Sequence, residues 1–227
     1  MDAKQVKEFV MDLGADLSGI ASSKRFLAAP EGFRPTDIYR KCQSVVVFAK
    51  RIPSEPIFAE SCVPYTYVNN IVLQEVDRLG VRIALGLEKS GIKSVPIPSD
   101  DPYEYWEPER SYGRAILSMR HAGYLAGLGK LGKNTLLINK DYGNLIQVGA
   151  VLIDVELDED PLADYESCLP NCNLCIESCP NQALDGITVN QQLCRPISNY
   201  QNEKGYHLKK CSICRKVCPN ALGLKSF

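Results

Sequence analysis

The sequence predicts an α+β fold. A layered core of helices and strands spans residues 1–160, and a small, irregular, cofactor-held domain spans 161–227. Three observations carry this. Helical and strand-like apolar patterns alternate as far as about residue 157. Beyond that point the composition shifts to Cys, Asn and Pro with little periodicity. Eight of the ten cysteines lie at or after Cys168.

The elements follow in order. Val6, Phe9, Val10 and Leu13 share one face of a helix over 3–13, which Gly14 ends. LSGIAS (17–22) reads as a short strand. Residues 24–40 are loop-like, with Pro30, Gly32 and Pro35. SVVVFAK (44–50) is a β-branched run suited to a buried strand, broken by Pro53 and Pro56. From Tyr65 to Ser90, Val68, Ile71, Val72, Val76, Leu79, Ile83 and Leu87 form a helical stripe, stopped at Gly91. IKSVPIP is a second short strand. Residues 98–113 form an aromatic, acidic loop too long for a simple connector. A helix is expected over 115–126. NTLLINK and NLIQVGAVLIDVEL are expected as two strands joined at Asp141-Tyr142-Gly143.

The chain has 227 residues, 45% of them hydrophobic and 23% charged, as in an ordinary water-soluble protein. No apolar run reaches the roughly 18–20 residues of a membrane span. The N-terminus mixes charge into every turn, unlike a signal peptide. A cytoplasmic protein without membrane contact is expected. The net charge of −1 shows no electrostatic footprint for nucleic acid, so nucleic acid is not expected as a partner.

The cysteine array reads Cys168-x3-Cys172-x2-Cys175-x3-Cys179-Pro180, then Cys194, then Cys211-x2-Cys214-x3-Cys218-Pro219. A C-x2-C-x2-C turn wraps three thiolates around one [4Fe–4S] cube, and the Cys-Pro that follows reaches the other. Crossed ligation assigns Cys168, Cys172, Cys175 and Cys218 to one cluster, and Cys179, Cys194, Cys211 and Cys214 to a second. Structural zinc is the competing reading. The Cys-Pro endings and the repeated x2/x3 rhythm argue against it. Cys42 and Cys62 lie outside the array and read as inert core thiols.

Residues 126–134, AGLGKLGKN, match G-x-G-x-x-G through Gly127, Gly129 and Gly132. A dinucleotide loop follows a strand and opens a helix. Here the predicted order is reversed. A triphosphate loop would need Ser or Thr where Asn134 stands. The plain alternative is three glycines making tight turns at positive φ.

The stretch RHAGYLAGLGKLGKNTLLINKDYGNLIQVGAVLIDVEL followed by the two cysteine groups resembles the epoxyqueuosine reductase and reductive dehalogenase group. The resemblance extends upstream through YRKCQSVVVFAKRIP. It implies a nitroreductase-like α/β core holding a corrinoid (cobalamin), with a two-cluster ferredoxin-like domain feeding it electrons. A short form, departing from that family by lacking its C-terminal helical-repeat domain, is expected. The activity implied is an iron–sulfur, cobalamin-dependent reductase. Its electron donor would be of ferredoxin or flavodoxin type and its substrate a small molecule. Two alternatives are a flavin (FMN) reductase on the same core and a non-enzymatic electron carrier.

In the family the glycine loop lines the cofactor cavity. Gly127, Gly129, Lys130, Gly132, Lys133 and Asn134 are therefore the cofactor-binding candidates. Catalytic candidates are His121, Asp100, Asp101 and Tyr105. His121 reads equally as a hydrogen-bonded helix residue, and Asp100 and Asp101 as a solvated turn. Tyr103, Tyr105, Trp106 and Tyr112 either wall a pocket or simply pack.

Overall fold

The computed structural model describes residues 1–224. Helix α1 (Ala3–Asp12) starts at a capping box: Asp2 Oδ1 accepts from the Gln5 N–H at 2.8 Å, and Gln5 Oε1 accepts from the Asp2 N–H at 3.0 Å. Strand β1 (Leu17–Ser22) follows, and α2 (Pro35–Ile38) interrupts the expected loop. Next come β2 (Ser44–Arg51), α3 (Cys62–Lys89) and β3 (Ser94–Ile97). The long loop carries a small hairpin, β4 (Tyr105–Glu107) and β5 (Tyr112–Arg114). Helix α4 (Met119–Leu125) is shorter than its pattern, because Ser118 is still extended. The core ends with β6 (Lys130–Leu131), β7 (Leu137–Ile138) and β8 (Ile146–Ile153).

One antiparallel sheet has the order β1-β2-β8-β3. Its residues alternate between two apolar clusters. Val46, Phe48, Val151 and Ile153 pack with Val6 and Val10 of α1 and with Val76, Leu79, Ile83 and Leu87 of α3. Val45, Val47, Ala150 and Leu152 pack with Leu117, Ala122, Ala126 and Leu137. Because both faces are covered, β2 reads as a continuous apolar run although its partners are antiparallel. Ile71, assigned to the α3 stripe, is instead 42% exposed.

NTLLINK does not pair with β8. Its two-residue strand β7 pairs with β6, while β8 lies between β2 and β3. Asn139 is the cause. Its Oδ1 accepts from the N–H groups of Asp141 and Tyr142 at 2.9 and 3.1 Å, and its Nδ2 donates to Leu128 O at 2.7 Å. This tight Asx turn closes before a ladder can grow.

The remainder is short: α5 (Leu174–Glu177), α6 (Gln191–Ser198), β9 (Tyr200–Gln201), β10 (His207–Leu208) and α7 (Ile213–Lys216). Asp160 ties its start to the core, receiving Lys7 Nζ and the Ile20 N–H, the latter at 2.8 Å. The last residues of the expected second domain, 225–227, lie outside the described residues. Among those described, no helix is long and apolar enough to cross a membrane.

Candidate functional site

Cys168, Cys172, Cys175 and Cys218 line one small cavity, together with Asn134, Ser167, Pro219 and Asn220. Helices α5 and α7 pack against each other and carry Cys175 and Cys214. Burial, followed by the charges of Cys168 and Cys218, pushes the Cys175 thiol up. Burial pushes the Cys214 thiol up to about 11, and Cys194, Cys211 and Cys175 are the thiols close enough to add to it. Seven of the eight candidate thiols therefore fall into two neighbouring groups. Cys179 is placed by its own contact, accepting from the Ala183 N–H at 3.2 Å. Among the described residues no three His, Cys, Asp or Glu side chains form a site for a single metal ion. The first four thiols ring a cavity.

The glycine loop packs on this array. Only Gly127 has a positive φ, +74°. Gly129 and Gly132 are required for close approach instead: an added Cβ would lie 2.5 Å from Ile138 O at Gly129 and 2.6 Å from Ile138 Cδ1 at Gly132. The Lys133 N–H donates to Cys168 Sγ at 3.4 Å, and Lys133 Nζ reaches Cys172 O at 3.0 Å and Asn173 Oδ1 at 2.7 Å. Buried Asn134 donates to Cys214 O at 3.2 Å. Lys130 pairs with Glu166 at 3.3 Å. None of the six loop candidates lines the large cavity described next.

That cavity has a volume of about 1050 Å³. Phe26, Phe33, Leu117, Met119, Ile146 and Val148 supply apolar wall, and the 98–114 loop forms one side. His121 and Asp100 line it, whereas Asp101, Tyr105 and Trp106 do not. Asp100 accepts from the Tyr103 hydroxyl at 2.8 Å. The Tyr105 hydroxyl donates to Glu107. His121 Nδ1 lies 2.7 Å from Ser118 Oγ. The protein packed around the ring, and then Arg120, lower the His121 pKa below its ordinary value.

Sequence reading missed the polar residues that join loop, cavity and array. Gln191 exchanges two hydrogen bonds with the backbone of Gly113, at 3.1 and 3.0 Å. Arg195 lies 5.4 Å from the Tyr103 ring centre and 5.1 Å from that of Trp106. Arg195 and Arg215 both line the cavity, and each follows a candidate ligand, Cys194 and Cys214. That adjacency was the only local signal for them.

No family model matches the chain. Epoxyqueuosine reductase of Lactococcus garvieae (strain Lg2) is 34% identical over 111 residues, 44% of this chain and 31% of that protein. The Staphylococcus aureus (strain NCTC 8325 / PS 47) epoxyqueuosine reductase is 34% identical over 124 residues, 49% and 31% respectively. The chain thus spans about a third of the length of these curated relatives. Among solved structures, epoxyqueuosine reductase from Streptococcus thermophilus superposes with a TM-score of 0.65 at 18% identity, covering 99% of this chain and 68% of that one. A reductive dehalogenase described as B12-dependent gives 0.63 at 18% identity, covering 94% and 31%. Epoxyqueuosine reductase with an epoxyqueuosine-modified tRNA stem loop gives 0.62 at 17% identity, covering 96% and 64%. The expectation of no nucleic-acid partner rested on total charge, which averages over a surface and does not report on a local nucleotide site. The chain has the mixed α+β fold of epoxyqueuosine reductases and reductive dehalogenases, and over part of its length it is similar in sequence to the former.

Proposed function

We propose that the chain is an iron–sulfur reductase unit. Residues 161–227 form a ferredoxin-like domain with two [4Fe–4S] clusters, and residues 1–160 hold a cofactor or substrate in the large cavity. Cys168, Cys172, Cys175 and Cys218 hold one cluster, and Cys179, Cys194, Cys211 and Cys214 the other. When bound, the clusters supply electrons one at a time, and a corrinoid in the cavity supplies a reducible cobalt. FMN is the alternative occupant. The electron donor is a ferredoxin or flavodoxin, and the setting is cytoplasmic.

The observation that carries this reading is a shared wall. Asn144 and Arg215 line the large cavity, and Arg215 follows Cys214 directly. An occupant of the cavity is thereby next to the thiol array. The volume of about 1050 Å³ sits at the upper end of ordinary ligand sites and suits a large occupant. It also counts against the electron-carrier reading, which needs no such space.

The chain's own residues have definite tasks. Lys133 and Arg215 place positive charge beside thiolates. The Lys133 and Ala183 N–H groups donate to cysteine sulfur, which tunes a cluster's potential. Met119, Leu117 and Ile146 keep water from the cavity wall. His121 and Asp100 are the groups on that wall able to hold a proton for a substrate. By the comparisons, a modified base carried on tRNA belongs among the substrates to be tried alongside free small molecules.

Metal analysis with an anaerobic visible spectrum tests the reading. About eight irons per chain are expected, with a saturable spectral change on titrating cobalamin. Zinc or disulfides in place of iron would overturn it. Iron without cobalamin affinity, in a protein that is yellow with flavin, would select FMN.

A further inference from the structure

We propose that the large cavity is an anion site, in which Arg114 and Arg120 grip a phosphate or carboxylate group of the ligand. This deepens the reading of that cavity as the ligand site. The cavity wall carries five arginines (Arg25, Arg114, Arg120, Arg195 and Arg215) against a single carboxylate, Asp100. In a chain of net charge −1 this is a strong local excess.

Three of the arginines are committed. Arg25 pairs with Glu159 at 2.9 Å and donates to the carbonyls of Leu125 and Asp160 at 2.6 and 2.7 Å. Arg195 donates to Gln191 Oε1 at 2.9 Å and to the Tyr103 hydroxyl at 3.2 Å. Arg215 donates to Asn144 O. The last two also stand next to candidate cluster thiolates in sequence.

Arg114 and Arg120 remain. Among the described residues neither has a carboxylate within 4.0 Å. The Arg114 guanidinium is held between rings, 4.0 Å from the centre of Tyr105, 5.4 Å from Phe33 and 5.6 Å from Tyr112. Its Nε is buried with no hydrogen-bond partner among the described residues. Glu107, whose charge reaches it, is already engaged by the Tyr105 hydroxyl and by Arg110 at 3.1 Å. Arg120 makes one hydrogen bond, to Thr135 O at 3.1 Å, and burial lowers its pKa. Ser99 Oγ, on the same wall, is a further buried group without a partner. Asp100 is oriented by the Tyr103 hydroxyl at 2.8 Å and pairs with neither arginine. Arg114, held on aromatic faces, and Arg120, partly buried on a single carbonyl bond, lack counter-ions, keep spare donors and are preorganised for a ligand's anion.

Calorimetric titration of the oxidised, cluster-loaded protein with inorganic phosphate, and separately with benzoate, tests this without any electron donor. The outcome therefore does not depend on reductase activity. Saturable binding of at least one probe is expected. Arg114→Met and Arg120→Met should each weaken it about tenfold or more. Arg82→Met, on the exposed face of α3, should leave it unchanged. Binding of phosphate alone assigns a phosphate-bearing ligand, and binding of benzoate alone a carboxylate. If circular dichroism shows Arg114→Met to be unfolded, Arg120→Met and Arg114→Lys carry the test. The proposal is overturned if neither probe saturates, or if both remaining variants bind as the parent does.

Discussion

Asn144 and Arg215 hold each other by hydrogen bonds running both ways. Asn144 Nδ2 donates to Arg215 O at 3.3 Å, and the Arg215 guanidinium donates to Asn144 O. The pair clamps the start of β8 to α7, so the central sheet and the cysteine array are mechanically one piece. Asn144 is 1% exposed, and its side chain also acts on Cys218 by a hydrogen bond.

Asn144→Ala removes the side-chain bonds to Arg215 O and Cys218 from a buried position, while the backbone carbonyl that accepts from the Arg215 guanidinium stays. A loss of about 1–3 kcal/mol is expected, with Arg215 O left without its donor. Urea denaturation of the cluster-loaded protein measures this. The variant should also release iron faster under chelator challenge. A variant with parental stability and iron retention would mean that the clamp is idle.

Gly129→Ala should be worse than Gly14→Ala, for different physical reasons. At Gly129 an added Cβ would lie 2.5 Å from a backbone oxygen, a clash costing about 1–3 kcal/mol or more. Gly14 has φ +103° and open space, so the alanine there meets only backbone strain of about 1 kcal/mol. Displacing the 129–133 loop also disturbs the Lys133 contact with Cys168. Iron content should fall in the first variant and hold in the second; the reverse order would refute this placement of the loop.

His121 should titrate below the ordinary histidine value of about 6.5. The folded state disfavours its protonated form, while the unfolded chain takes up the proton more readily. Its contribution to stability is therefore complete above the unfolded pKa and is lost as pH falls through the folded one. NMR of the imidazole protons, with His207→Ala to simplify assignment, reads the midpoint. A midpoint at or above 6.5 contradicts the environment described. At neutral pH the ring is then uncharged beside Arg120.

Cys42 should resist alkylation. Burial pushes its thiol up to about 11, against a weaker opposing hydrogen bond from the backbone. At pH 8 only about a thousandth of it is thiolate. Iodoacetamide treatment followed by peptide mass analysis should leave Cys42 unmodified in the folded protein, and Cys42→Ser should keep full iron content. Rapid labelling would show that this region opens.

The elements legible in the sequence were those whose signal is local. The ranges of α1, β1, β2 and α3 follow from apolar spacing along a few turns or a few pleats, because one face of each must be buried. The cysteine rhythm was legible too, and four cysteines assigned together from it, Cys168, Cys172, Cys175 and Cys218, line one cavity. The glycine loop was found but not aimed. Nothing in AGLGKLGKN says that Lys133 and Asn134 face the thiols and not the large cavity.

Tertiary structure alone decided the rest. The order β1-β2-β8-β3 rests on pairings between strands far apart in the chain, and the detachment of β7 goes with the Asx turn at Asn139. Cys218 reaches Cys168 and Cys175 only because α7 packs on α5. Arg114 and Arg120 look like ordinary surface charges in a linear reading, and they become a positive wall only when strand, hairpin and helix converge. Apolar periodicity is written within a single segment, whereas a cavity and its charge are sums over segments far apart in the chain. Such sums exist only once the long-range contacts have closed.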